Sequence, residues 1–124
     1  ETYQSLPPST ALAEFVQHVM ASWRSFGGEP NVARQLPAYL SAAGCRIRET
    51  RPISLSAGPH QPIWQWPASF IDINLQRLLD LGLVDTDWVA TVQADMRALQ
   101  ADPNALLITP MVLEIIAEKT DATG

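Results

Sequence analysis

Residues 106–117 constrain this chain more than any other stretch: they are β-branched and apolar, interrupted only by Thr109-Pro110 and Glu114, and predict a long, mostly buried final strand. A strand that apolar needs neighbours on both faces and along its edges. Only one other segment offers itself. Cys45, Ile47, Glu49, Ile53 and Leu55 alternate as a strand does, although Pro52 cannot donate to a ladder and marks an edge or a bulge. Two strands alone make a ribbon that is marginal in water. The rest of a sheet is therefore expected in a preceding segment or in a second copy.

The remaining segments read as helices. After Pro7-Pro8, Ser9 and Thr10 offer N-caps, and Leu12, Phe15, Val16, Val19, Met20 and Trp23 recur at i, i+3, i+4, i+7, i+8 and i+11, ending at Gly27-Gly28. Asn31 is placed to cap a shorter helix carrying Val32, Leu36, Leu40 and Ala43, with Gly44 as its stop. A loop follows over 58–62. Pro67 then opens a helix with Phe70, Ile71, Leu75, Leu78 and Leu79 on one face, ending at Gly82. Asp85 or Thr86 caps a last helix with Trp88, Val89, Val92, Met96 and Leu99, closed by an Asp102-Pro103-Asn104 turn. The whole, residues 1–124, is expected to be one domain of α+β class, with about four helices and a two-strand unit. The opening residues before Pro7 carry no expected element, and a start at Glu1 rather than Met points to a processed or truncated chain.

Charge and composition narrow the partners. The formal charge is −5 and the eight Lys and Arg are scattered, so no basic stripe exists to neutralise phosphates and nucleic acid is excluded. No apolar run reaches the roughly 20 residues of a membrane span, so no membrane partner is expected and the chain reads as cytoplasmic. Cys45 is the only cysteine, which rules out an intrachain disulfide and a thiolate metal cluster. His18, six residues from Leu12, falls opposite its helix's apolar stripe and reads as solvated. No metal site is expected, and no catalytic residue can be named: no Ser, Cys or Asp nucleophile has a base partner at a recognisable spacing.

The run Leu36-Pro37-Ala38-Tyr39-Leu40-Ser41-Ala42-Ala43-Gly44-Cys45 resembles the helix that leads into strand six of class I S-adenosylmethionine-dependent methyltransferases, where phenylalanine is commoner than cysteine at the last place. Leu113-Glu114-Ile115-Ile116-Ala117-Glu118-Lys119 is similar to the end of that family's strand seven. The resemblance covers the family's carboxy-terminal portion only. It implies that the two strands pair antiparallel, that the N-terminal Rossmann half is lacking, and that the helices between them cover a small-molecule methyl acceptor. The glycine-rich turn after a strand is absent, so S-adenosylmethionine is expected to bind the intact parent and not this chain alone.

Four residues stand as substrate-binding candidates. Tyr3 falls where the family's chain leaves strand five at the active-site edge. His60, Trp64 and Trp66 lie in or beside a proline-punctuated loop, where flat rings with a polar tip suit a planar or apolar acceptor. Trp23 and Trp88 read as core, and Glu114 as turned to solvent or paired with Arg46, Arg48 or Arg51. Without upstream cover, the stripe from Leu12 to Trp23 and the final strand would be bare, so a homodimer through strand pairing or helix exchange is expected. The contrasting expectation is a freestanding α+β interaction or oligomerisation module with no catalytic activity.

Overall fold

A computed structural model describes residues 3–121. Helix α1 (Thr10–Ser25) begins where the Ser9 Oγ accepts the Leu12 N–H at 3.1 Å, satisfying one of the donors a helix start leaves open. It ends at Gly27, whose φ of 87° is the left-handed conformation a Cβ disfavours, and the Gly28 N–H closes back on the Trp23 carbonyl at 2.9 Å. Helices α3 (Gln65–Asp80) and α4 (Thr86–Ala101) lie against α1. Asp85 caps α4, its carboxylate accepting the Trp88 N–H at 2.8 Å. Leu12, Phe15, Val19, Ile71, Leu75, Leu78 and Val92 meet in one buried cluster. The α1 stripe is thus covered from within the chain, which corrects the expectation that it lies bare.

The second segment is shorter than its periodicity predicts. Asn31 caps nothing with its side chain, residues Val32–Arg34 form one turn of 3-10 helix, and α2 spans only Leu36–Ala42, with Pro37 in its first turn. Proline lacks an N–H to carry a helix through that point but fits a first turn.

The strands depart most from expectation. Among the described residues they form two small antiparallel sheets. Strand β1 (Gln4–Leu6), where no element was expected, pairs with β4 (Leu106–Ile108), which also pairs with β3 (Ser56–Ala57). Strands β2 (Cys45–Ile53) and β5 (Val112–Lys119) pair separately, in register from Cys45 against Lys119 to Ile53 against Val112, with a bulge between Ile47 and Glu49. The expected single strand over 106–117 is therefore two strands in two sheets, and its second half is half-buried to exposed. Thr109 explains the break. Its N–H donates to the Leu55 carbonyl at 2.8 Å, its Oγ1 accepts the Leu55 N–H at 2.9 Å, and its own carbonyl takes the Ser54 hydroxyl. Pro110 then removes the next ladder donor. Residues 45–57 and 106–119 thus lie antiparallel in two successive pairings, one in each sheet, with the passage between them at Leu55 and Thr109. The inner pairing joins the core, where Leu107 and Ala57 are buried; the outer one extends away from the α1–α3–α4 cluster.

The outer ribbon is held by its own side chains. Arg46 and Arg48 pair with Glu118, and Arg51 lies 3.2 Å from Glu114, all well exposed. Exposed pairs contribute about 0–1 kcal/mol each, so they set register more than stability. Thr120 donates its N–H and its hydroxyl to the Gly44 carbonyl, closing the far end beside α2.

Candidate functional site

Tyr3 precedes β1, and the ladder with β4 carries it over α3. Its ring stacks on Phe70 with centroids 5.1 Å apart, and Phe15 and Trp23 meet the same Phe70 ring edge-on at 6.3 and 6.0 Å. Offset and edge-on contacts of this kind are the preferred aromatic geometries. Half-burial pushes the Tyr3 phenol above its ordinary pKa, because the phenolate loses water there.

Beside Tyr3 lies a cleft of about 250 Å³, walled by Tyr3, Ser5, Leu6, Pro8, Leu12 and Ala13. The walls are mainly apolar. The Ser5 hydroxyl is buried in them with no hydrogen-bond partner among the described residues. At the cleft's edge the Ser9 hydroxyl donates to Asp95 Oδ2 at 2.7 Å while capping α1. A carboxylate there opposes an anionic ligand, despite the positive end of the helix. The passage from β1 into α1 also runs through Pro7-Pro8 and not glycine, so no close approach of backbone to a phosphate or to the carboxylate of S-adenosylmethionine is built there. What the cleft can do is hold a small apolar group against the Tyr3 ring.

The other three candidates are placed differently. Trp64 is fully buried within the core cluster and its Nε1–H finds no acceptor among the described residues, so its ring presents no face to a ligand. Trp66 stands on the first turn of α3, 50 % exposed, four residues from Phe70 and so on the same side of the helix. His60 is exposed on the turn closed by Gly58 and Gln61, whose backbone and side chain bond each other at 2.7–3.0 Å. The structure thus stacks Tyr3 on Phe70, stands Trp66 exposed one turn earlier on the same helix, sets Trp64 in the interior, and leaves His60 on the preceding turn.

Phe70 and Ser5 are the residues that sequence reasoning did not single out. Phe70 looked like ordinary core, and nothing in a three-residue strand marks Ser5. A second depression, of about 470 Å³, lies at the far end of the ribbon between α2 and β2, walled by Pro37, Ser41, Cys45, Arg46, Ile47 and Thr120. Its one reactive side chain is the half-buried thiol of Cys45. No group of three or more His, Cys, Asp or Glu among the described residues could hold a metal ion, and no helix there is long and apolar enough to cross a membrane.

Compared with protein-family profiles, with curated proteins and with solved structures, the chain matches none.

Proposed function

We propose that this chain is the carboxy-terminal, substrate-covering segment of a cytoplasmic class I S-adenosylmethionine-dependent methyltransferase, in which β2 and β5 are the last two strands of the parent sheet. One observation carries the reading: α2 turns through Gly44 into β2, β2 pairs antiparallel with the final strand β5, and α3 and α4 lie between them in sequence. Among the described residues both outer edges of the ribbon are unpaired, as in a unit awaiting further strands. Its acceptor is a small molecule with an apolar group, held in the cleft beside Tyr3. Methyl transfer asks little of such a segment beyond proximity, because the sulfonium of the cofactor, bound by upstream residues, supplies the leaving group.

Calorimetric titration with S-adenosylmethionine tests the division of labour. The chain alone is expected to give no saturable binding, whereas low-micromolar affinity would mean that the cofactor site had been misassigned. In the intact protein, Tyr3→Ala is expected to raise the KM for the acceptor several-fold and leave cofactor affinity unchanged.

A freestanding interaction module is the second reading, favoured by the closed core of α1, α3 and α4. The coding sequence upstream of Glu1 separates the two. A strand followed by a glycine-rich turn supports the methyltransferase segment, and an initiator methionine directly before Glu1 supports the module.

A further inference from the structure

Helix α3 carries a stripe that the core uses only in part: Phe70 is half-buried among the rings of Tyr3, Phe15 and Trp23, whereas Trp66 and Ile73 stand exposed. Its buried residues Pro67, Ile71, Asn74, Leu75 and Leu78 point inward, while Trp66, Phe70, Ile73 and Arg77 fall within about 60° of one another at 100° per residue, displaced by roughly a quarter-turn or more from that direction. Ile73 is 68 % exposed, and Phe26, just past the end of α1, is 69 % exposed. Arg77 joins the two helices: its Nη1 donates to the Ser22 hydroxyl at 2.7 Å and its guanidinium lies over the Phe26 ring, 5.7 Å from the centroid. Arg77 forms no ion pair among the described residues.

We propose that this stripe is the surface through which two copies of the chain pair, α3 against α3, antiparallel about a two-fold axis. The spacing of the four residues, four then three then four, reads the same in both directions. With the axis midway between Phe70 and Ile73, Phe70 of each copy meets Ile73 of the other, and Trp66 of each meets Arg77 of the other. An isologous contact makes every favourable pair twice. The Trp66–Arg77 pair is chemically complementary, because a guanidinium that already lies over the Phe26 ring is attracted to the face of an indole as well.

The composition and size also fit. Exposed aromatic rings beside an arginine are what the centres of protein contacts favour, and Ser69, Gln76 and Asp80 supply a polar border on one side. The stripe with Phe26 offers on the order of 500 Å² per copy, or about 1,000 Å² for the pair, the lower end of what a specific contact buries. That size points to a dimer of micromolar strength. The stripe itself contains no acid and Asp80 lies at its border, so two chains of net charge −5 meet with their charge at the rim and not at the centre. The ribbon contributes nothing to this contact, and the proposal does not rest on the methyltransferase reading. It assigns Trp66 to the second copy and not to an acceptor.

Sedimentation equilibrium of the chain across a roughly hundredfold dilution in the micromolar range tests it without any cofactor. The chain is expected to associate reversibly to a dimer. Ile73→Glu is expected to weaken association at least tenfold with an unchanged circular-dichroism melt, and Ile73→Gln serves as a neutral counterpart. The pairing register has its own test. Trp66→Lys, which would face Arg77, should abolish the dimer, whereas Trp66→Glu should retain it at low salt and lose it at high salt. A chain monomeric throughout, or a dimer indifferent to Ile73→Glu, would overturn the proposal. Equal loss on Trp66→Lys and Trp66→Glu would reject the antiparallel register.

Discussion

The phenol of Tyr3 ties one side chain to the stability of the whole chain. Burial raises its pKa above the ordinary 10.0, so between about pH 10 and the higher native value the folded state holds a proton that the unfolded state has released. The stabilisation is complete below about pH 10 and is lost as pH rises through that window. Urea midpoints measured through this range should therefore fall more steeply for the parent chain than for Tyr3→Phe, which has no proton to lose. Ser5 works in the opposite sense. Its hydroxyl is buried without a partner among the described residues, so Ser5→Ala should stabilise by about 1 kcal/mol, read as a higher urea midpoint at an unchanged slope. Of the four candidate rings, the sequence set His60, Trp64 and Trp66 together in or beside one proline-punctuated loop. It could not separate Trp64 from Trp66, because two residues on a 3-10 turn entering a helix reverse inside and outside without any change in composition.

At the level of elements, the crossing at Thr109 is the feature most open to test. Thr109→Val keeps the shape but removes the acceptor of the Leu55 N–H, and should cost about 1–3 kcal/mol in urea unfolding. Amide exchange should differ between the two pairings on either side of that crossing. Residues 112–119 of β5, with exposed faces and one partner, should exchange through local opening; 106–108 of β4, central among three strands, should exchange only on global unfolding. Helix α1 was legible because its apolar positions repeat over more than three turns and Ser9 marks its start. The same logic found α4 through Asp85. The division of 106–117 was not legible, because its cause is Leu55, a partner 54 residues away, and the residues on either side of the break are both apolar enough to read as strand. A three-residue strand such as β1 has too few positions to show a period at all.

For the molecule as a whole, the decisive fact is that α1 finds its cover in α3 and α4. Val19 is 2 % exposed at their junction, so Val19→Asp should unfold the chain, seen as loss of helical circular dichroism, and not merely separate copies of it. The α+β class could be anticipated from helix periodicity and from the two apolar runs, whereas the antiparallel partnership of β2 and β5 was expected only from the resemblance of 36–45 and 113–119 to a methyltransferase's closing strands. The second sheet could not, since it is assembled from three short pieces distant in sequence. The unequal burial of the four indoles has an optical consequence. Trp64, sealed in the core, should emit at short wavelength and resist collisional quenching by iodide, while Trp66 should emit further to the red and be quenched readily. Native fluorescence is therefore a composite whose blue part reports on the integrity of the interior and whose red part reports on whatever comes to rest against α3.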